Sequence, residues 1–217
     1  MRIGNDFGLI LNLGFTTKQE VKMGELRLSH PAYGIAGKSR LTPADIDILR
    51  EHVFSQGITS SQEAVTLFAI NTACAEKCPE WHHYFLDSIS GFVLHHCEPH
   101  GSLDERNADW LIGMISTGGT VNSPIELELL FHVIDVSPFV PDSLTFFALQ
   151  QLRTGIRDGV GAWGTMRHSR RPILDPDDVH MACRVMSAIA RSRGGKPTPR
   201  ENEILVSIGV LPGAAAA

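Results

Sequence analysis

Cysteine is scarce in this chain: Cys74, Cys78, Cys97 and Cys183 are four among 217 residues. Their spacing is not that of a small disulfide-stapled secreted domain, so reduced thiols and a cytoplasmic setting are expected. Aromatic residues are also few, with ten Phe, three Trp and two Tyr, and the core must therefore be mainly aliphatic. Basic charge is not in excess. Nineteen Lys and Arg face 24 Asp and Glu, for a net charge of −5. That argues against a nucleic-acid partner, since such domains carry a basic face. The one basic cluster, Arg167, His168, Arg170 and Arg171, precedes Pro172 and reads as a solvated loop. Long apolar runs are missing as well. Phe7 to Phe15 is interrupted by Gly8, Asn12 and Gly14, too short to span a membrane. With Arg2 as its only leading charge and no small-x-small cleavage site, it is a poor signal peptide. No membrane partner is expected. Enzyme motifs are absent: there is no Gly-x-Ser-x-Gly elbow, P-loop, dinucleotide fingerprint or His-Glu-x-x-His.

What the sequence does carry is a recurring helix start. A helix leaves its first amide N–H groups without partners, and a Ser, Thr or Asp at the N-cap accepts from them. Proline suits the next position, and an acid three residues after the cap can return a hydrogen bond to it. Thr42-Pro43-Ala44-Asp45, Ser60-Ser61-Gln62-Glu63, Ser123-Pro124-Ile125-Glu126, Asp175-Pro176-Asp177-Asp178 and Thr198-Pro199-Arg200-Glu201 all fit. Asp104-Glu105-Arg106-Asn107 is a weaker member. Apolar residues follow at helical spacing, as in Ala64, Leu67, Phe68, Cys74, then Trp81, Phe85, Ile89, Phe92, and then Val179, Cys183, Met186, Ile189. No segment alternates with period two. The expectation is an all-α helical bundle of about eight or nine helices, without a substantial sheet.

Two stretches echo each other. Leu41 to Ile46 resembles Leu174 to Val179, and Gly57 to Glu63 resembles Gly195 to Glu201. This predicts a duplicated helix–loop–helix unit, the second copy cut short. The corresponding division is an N-terminal extension over 1–33, a first repeat region over 34–154 and a truncated second one over 155–217. The glycine-rich stretch from Gly155 to Gly164 is the expected linker.

Candidate chemistry is confined to three places. The Gly57 and Gly101 loops look like the rear half of an EF-hand, but the residues before them lack the oxygen ligands such a site needs, so helix capping explains them. The histidine-rich segment is the most suggestive, because imidazole and thiolate are good zinc ligands. His96, Cys97 and His100 would be its ligand set, for zinc or another divalent cation. Against this, adjacent histidines on a helix point about 100° apart, and histidines at a helix C-terminus are favoured by its free carbonyls. The third place is acidic: Asp104, Glu105, Asp109, Glu126 and Glu128 surround two helix starts. Asp104 and Glu126 could join in holding a cation, or could simply answer the helix dipole. Cys74 and Cys78, four apart, read as buried thiols.

Several motifs carry a resemblance. Glu80-Trp81, Pro99-His100-Gly101, Asn107-Ala108-Asp109-Trp110-Leu111, Glu126-Leu127-Glu128-Leu129-Leu130 and Pro141-x-Ser143-Leu144, with the Leu-Thr-Pro and Ser-x-x-Glu-Ala motifs, cover about residues 34 to 209. In these the chain resembles uncharacterised bacterial proteins with a duplicated helical domain. More remotely it resembles the all-helical family of the tellurite-resistance protein TerB. The resemblance implies a compact helical bundle, in some members with acidic residues holding divalent cations and linked to stress responses. No ligand motif matches residue by residue. The functional expectation is a non-catalytic helical interaction or scaffold protein with a protein partner and no cofactor. The alternative is a metal-responsive, TerB-like stress protein. Self-association is left open.

Overall fold

The computed structural model describes residues 30–212. The apolar stretch from Phe7 to Phe15 and the Ala214–Ala217 tail lie outside the described residues. Among those described there are ten α-helices, against the eight or nine expected, in the order α1 (His30–Ala36), α2 (Pro43–Ile48), α3 (Ser61–Ala73), α4 (Pro79–Gly91), α5 (Glu105–Ile115), α6 (Pro124–Val136), α7 (Asp142–Asp158), α8 (Gly161–Met166), α9 (Pro176–Arg193) and α10 (Pro199–Ser207). The only sheet among them is a hairpin of two-residue strands, β1 (Ser116–Thr117) and β2 (Thr120–Val121). A buried glutamine on α7 clamps it. Gln151 Oε1 accepts from the Val121 N–H and its Nε2 donates to the Gly119 carbonyl, both at 3.0 Å.

The caps form as the sequence implies at α3, α9 and α10, whereas the Ser123 side chain accepts from no amide of α6 and instead donates to Glu126. Ser60, Asp175 and Thr198 each accept from the amide three residues on, and Glu63, Asp178 and Glu201 each take the cap residue's N–H in return. At α2, the Thr42 N–H and hydroxyl both donate to Asp45 Oδ2, at 2.9 and 2.7 Å. Satisfying these amides fixes where each helix begins.

The helix ends recur too. Leu49–Val53 continues α2, and Phe92–His96 continues α4, each as one π-helical turn. In both the closing bond reaches five residues back, Phe54 N–H to the Leu49 carbonyl (2.7 Å) and Cys97 N–H to the Phe92 carbonyl (3.1 Å). A glycine with φ near +80° then stands three residues before the next cap: Gly57 before Ser60, Gly101 before Asp104, Gly195 before Thr198. That left-handed conformation costs a residue with a Cβ, so the loop specifies glycine. The recurrence is one of loop geometry. The helices it joins differ in length, since α2 has six residues and a five-residue π turn whereas α9 has 18.

The centre of the bundle is α6. Leu127, Leu129, Leu130, Phe131, Val133 and Ile134 are all fully buried, which wraps apolar surface around most of its circumference. A helix apolar nearly all round must be covered on every side, and α4, α5, α7, α8 and α9 do so. An aromatic cluster ties α3, α4 and α5 together. Trp81 stacks on Phe85, and Phe68 meets both Phe85 and Trp110 edge-on. One continuous core runs from Ile35 to Ile208.

Three sequence expectations change here. The stretch from Gly155 to Gly164 is not a linker: it is the end of α7, a sharp corner and α8. The two helices meet so closely that a Cβ on Gly155 would lie 2.7 Å from Trp163 Cδ1, and one on Gly164 would lie 2.5 Å from the Gly159 carbonyl carbon. Arg167 is not solvated loop. Its side chain is buried against Asp178, while His168, Arg170 and Arg171 are exposed. The stripe Val179, Cys183, Met186, Ile189 is not the core face of α9. Asp178, Met181, Ala182, Val185, Ala188 and Ile189 face inward, and Val179 and Cys183 face out.

Candidate functional site: a groove between α4 and α6

Helices α4 and α6 run parallel, with α5 as the crossover between them. Two histidine–carboxylate contacts bridge them. His82 Nε2 on α4 lies 2.5 Å from Glu128 Oε2 on α6, and His132 Nε2 on α6 lies 3.8 Å from Asp87 Oδ1 on α4. Each helix thus supplies one histidine and one acid, five residues apart on α4 and four apart on α6, and the four-residue spacing keeps Glu128 and His132 on one face of α6. His82 Nε2 is itself buried and makes no aligned hydrogen bond.

Beyond the second bridge the helices open into a groove of about 320 Å³. Asp87, Leu94 and His95 line it from α4 and its π turn, and His132, Val136 and Pro138 from α6 and the loop after it. Val136 is 46% exposed, and Phe139, next in the chain after Pro138, is 47% exposed. The π turn helps to shape this end. It widens the last coil of α4 and hands the chain to Gly101, whose N–H reaches back to the Leu94 carbonyl at 2.6 Å. A shallower depression of about 470 Å³, lined by Thr117, Thr120, Asn122 and Thr165, lies beside the hairpin.

The residues singled out as metal ligands do not converge. His96 is exposed at the end of the π turn. His100 is also exposed and pairs with Glu98, Nε2 to Oε1 at 3.1 Å. Cys97 is half-buried, and burial pushes its thiol up, helped by the negative charge of Asp104. Asp104 spends its carboxylate on the Asn107 N–H at 2.8 Å, capping α5. Glu126 is buried 4% exposed on α6 and accepts from the Ser123 hydroxyl at 2.8 Å. Glu105 and Asp109 are exposed, and Glu128 belongs to the His82 bridge. Among the described residues no three His, Cys, Asp or Glu side chains are gathered in a way that would hold a metal ion. Of the other cysteines, Cys74 is buried and Cys78 half-buried.

Glu126 differs from the other buried acids at helix starts. Asp45, Asp178 and Glu201 are equally sealed but each has a cation, namely Lys38 at 2.5 Å, Arg167 at 2.7 Å and Arg193 at 2.9 Å. Glu126 has only Ser123, Asn71 and the more distant charge of Lys77, and burial outweighs them and raises its carboxyl above the ordinary range. Asn71 in turn accepts the Trp81 indole N–H at 3.0 Å, so this acid sits in a neutral polar network at the heart of α3, α4 and α6.

Sequence reasoning missed the groove. Glu128 and His132, four residues apart in one helix, were a legible signal of a shared face. That α4 would lie alongside with His82 and Asp87 was not. Compared with known proteins, the chain matches no family model, no curated sequence and no solved structure.

Proposed function

We propose that this chain is a non-catalytic helical interaction module, and that the groove between the C-terminal ends of α4 and α6 receives an apolar segment of a partner protein. One observation carries the reading. Val136, which lines a groove that also takes in the buried Leu94, keeps nearly half of its surface in water, and so does Phe139, one residue beyond the lining Pro138. A large apolar side chain left in water at a groove that also carries polar groups is what a docking site for an apolar anchor requires. His95, His132 and Asp87 would orient the segment by hydrogen bonds. The histidines there face carboxylates or solvent, and the Ser90 hydroxyl, which also lines the groove, donates to the Asp87 carbonyl at 3.3 Å.

The test is a photoreactive amino acid at position 139 of the full chain in cells, with position 160, an exposed valine on the α7–α8 corner, as control. A discrete crosslinked protein from position 139, lost on Val136→Asp, supports the reading. An identical pattern from position 160, insensitivity to Val136→Asp, or robust turnover in hydrolase screens overturns it.

A further inference from the structure

Charge is divided unevenly along the chain. Between Lys77 and Arg153 stand ten Asp and Glu but a single Lys or Arg, Arg106. That stretch contains α4, α5 and α6 with the loops after them, and so builds both walls of the groove. Several of its acids are spent. Asp104 caps α5, Glu126 is buried and Glu128 lies against His82. Asp135 is matched by Arg184 of α9 at 2.6 Å, and Asp142 by Arg193. Asp87 is not matched in this way. It lines the groove with its side chain 75% exposed, and its one ion-pair contact among the described residues is His132 at 3.8 Å, longer than a hydrogen bond.

The helix ends add to this. Arg191 of α9 donates to the Ile134 and Asp135 carbonyls, which answers the C-terminal dipole of α6. No Lys or Arg does the same for α4: its π turn ends on His95 and His96, and the loop beyond brings Glu98. The α4 wall therefore joins an exposed carboxylate to an unanswered helix end, and together these give it a negative potential.

Taking the groove as a docking site, we propose that the segment it receives is a cationic amphipathic helix. Such a helix sets a large apolar side chain against Val136 and a Lys or Arg, three or four residues away, against Asp87. The spacing comes from α6: Asp87 meets His132, and Val136 follows His132 by one turn, about 6 Å along the axis. A helix laid along a groove between helices presents residues three or four apart at that separation. A neutral segment would cover the Asp87 carboxylate without replacing the water it loses, and an acidic one would be repelled as well. A basic side chain gives the carboxylate a charge-assisted hydrogen bond and draws the segment in from a distance.

Fluorescence anisotropy on the full chain tests this with two labelled helical peptides of about 15 residues. One carries Leu and Lys four residues apart along one face. The other has Glu in place of every Lys. At low salt the Lys peptide binds at least about tenfold more tightly than the Glu peptide, and added salt narrows the gap. Asp87→Asn, whose melting temperature matches the parent, weakens the Lys peptide about fivefold and leaves the Glu peptide no weaker. Val136→Asn, which removes the apolar contact without adding charge, weakens the Lys peptide too. The proposal is overturned if neither peptide binds, if the Glu peptide binds as tightly, or if the Lys peptide ignores Asp87→Asn or Val136→Asn. Equal binding of both peptides that is lost on Val136→Asn removes the charge rule and keeps the groove as a docking site. Crosslinking from position 139 decides that reading separately.

Discussion

Arg167 grips the carboxylate of Asp178 with two nitrogens, Nε to Oδ1 at 2.9 Å and Nη2 to Oδ2 at 2.7 Å, where both side chains are sealed from water. The same carboxylate accepts the Trp163 indole N–H at 2.8 Å and the Asp175 N–H at 3.0 Å. Arg167 also donates to the carbonyls of Arg171 and Ile173. One ion pair thus joins α8, the loop after it and the start of α9.

Removing the arginine leaves a bare buried charge. Arg167→Met is expected to lower the unfolding free energy by about 3 kcal/mol or more. The double variant Arg167→Met with Asp178→Asn should recover part of that loss, since the amide leaves no unpaired charge. Urea midpoints of the three proteins measure it, and equal midpoints for single and double variants would refute the account.

Glu201 answers to pH in the opposite sense from Glu126. Burial alone would raise the Glu201 carboxyl, but hydrogen bonds from Thr145, Thr198 and Arg193 outweigh it and hold it below its ordinary value of 4.5. A carboxyl lowered by folding stabilises the native state above its unfolded value, and that stability is lost as pH falls through the folded value. Glu201→Gln should therefore cost about 2 kcal/mol at neutral pH and progressively less in acid. Denaturation at pH 7 and pH 3 would show it.

At Glu126 the shift is upward from 4.5. The native state then holds its proton longer than the unfolded chain, so this group's contribution falls as pH rises from the unfolded value through the folded one. Glu126→Gln keeps a partner for the Ser123 hydroxyl and removes the titration. The variant should match the parent in acid and be equal to it or more stable at neutral pH. A clear loss at neutral pH would mean that the carboxylate is held charged.

Two glycines make the corner after α7 and a third shows the contrast. Gly155→Ala and Gly164→Ala each drive a methyl into backbone or a buried ring and should cost at least about 1 to 3 kcal/mol. Gly91, near the groove in α4, has open space around its Cα, so Gly91→Ala should gain up to about 1 kcal/mol from helix propensity. Thermal melts of the three variants distinguish contact from propensity.

Most of the helices, the starts of α2, α3, α5, α6, α9 and α10, and the lack of any large sheet among the described residues were legible in the sequence, because capping and helical periodicity are satisfied within a few residues of each other. Glycine at 57, 101 and 195 belongs to the same class, since a left-handed backbone is a local demand. The candidate site was not legible. Nothing near Glu128 in the chain says that His82 will face it, and nothing near Asp178 says that Arg167 will leave its basic cluster to be buried. The inward face of α9 also lay beyond local reading, because Val179 and Met181 are both apolar and the choice between them was made by α6 and α7. Local hydrogen bonding determined what each segment became. Burial of charge, pairing across helices and the face left to water were decided only when the segments met, because those energies depend on neighbours far away in the sequence.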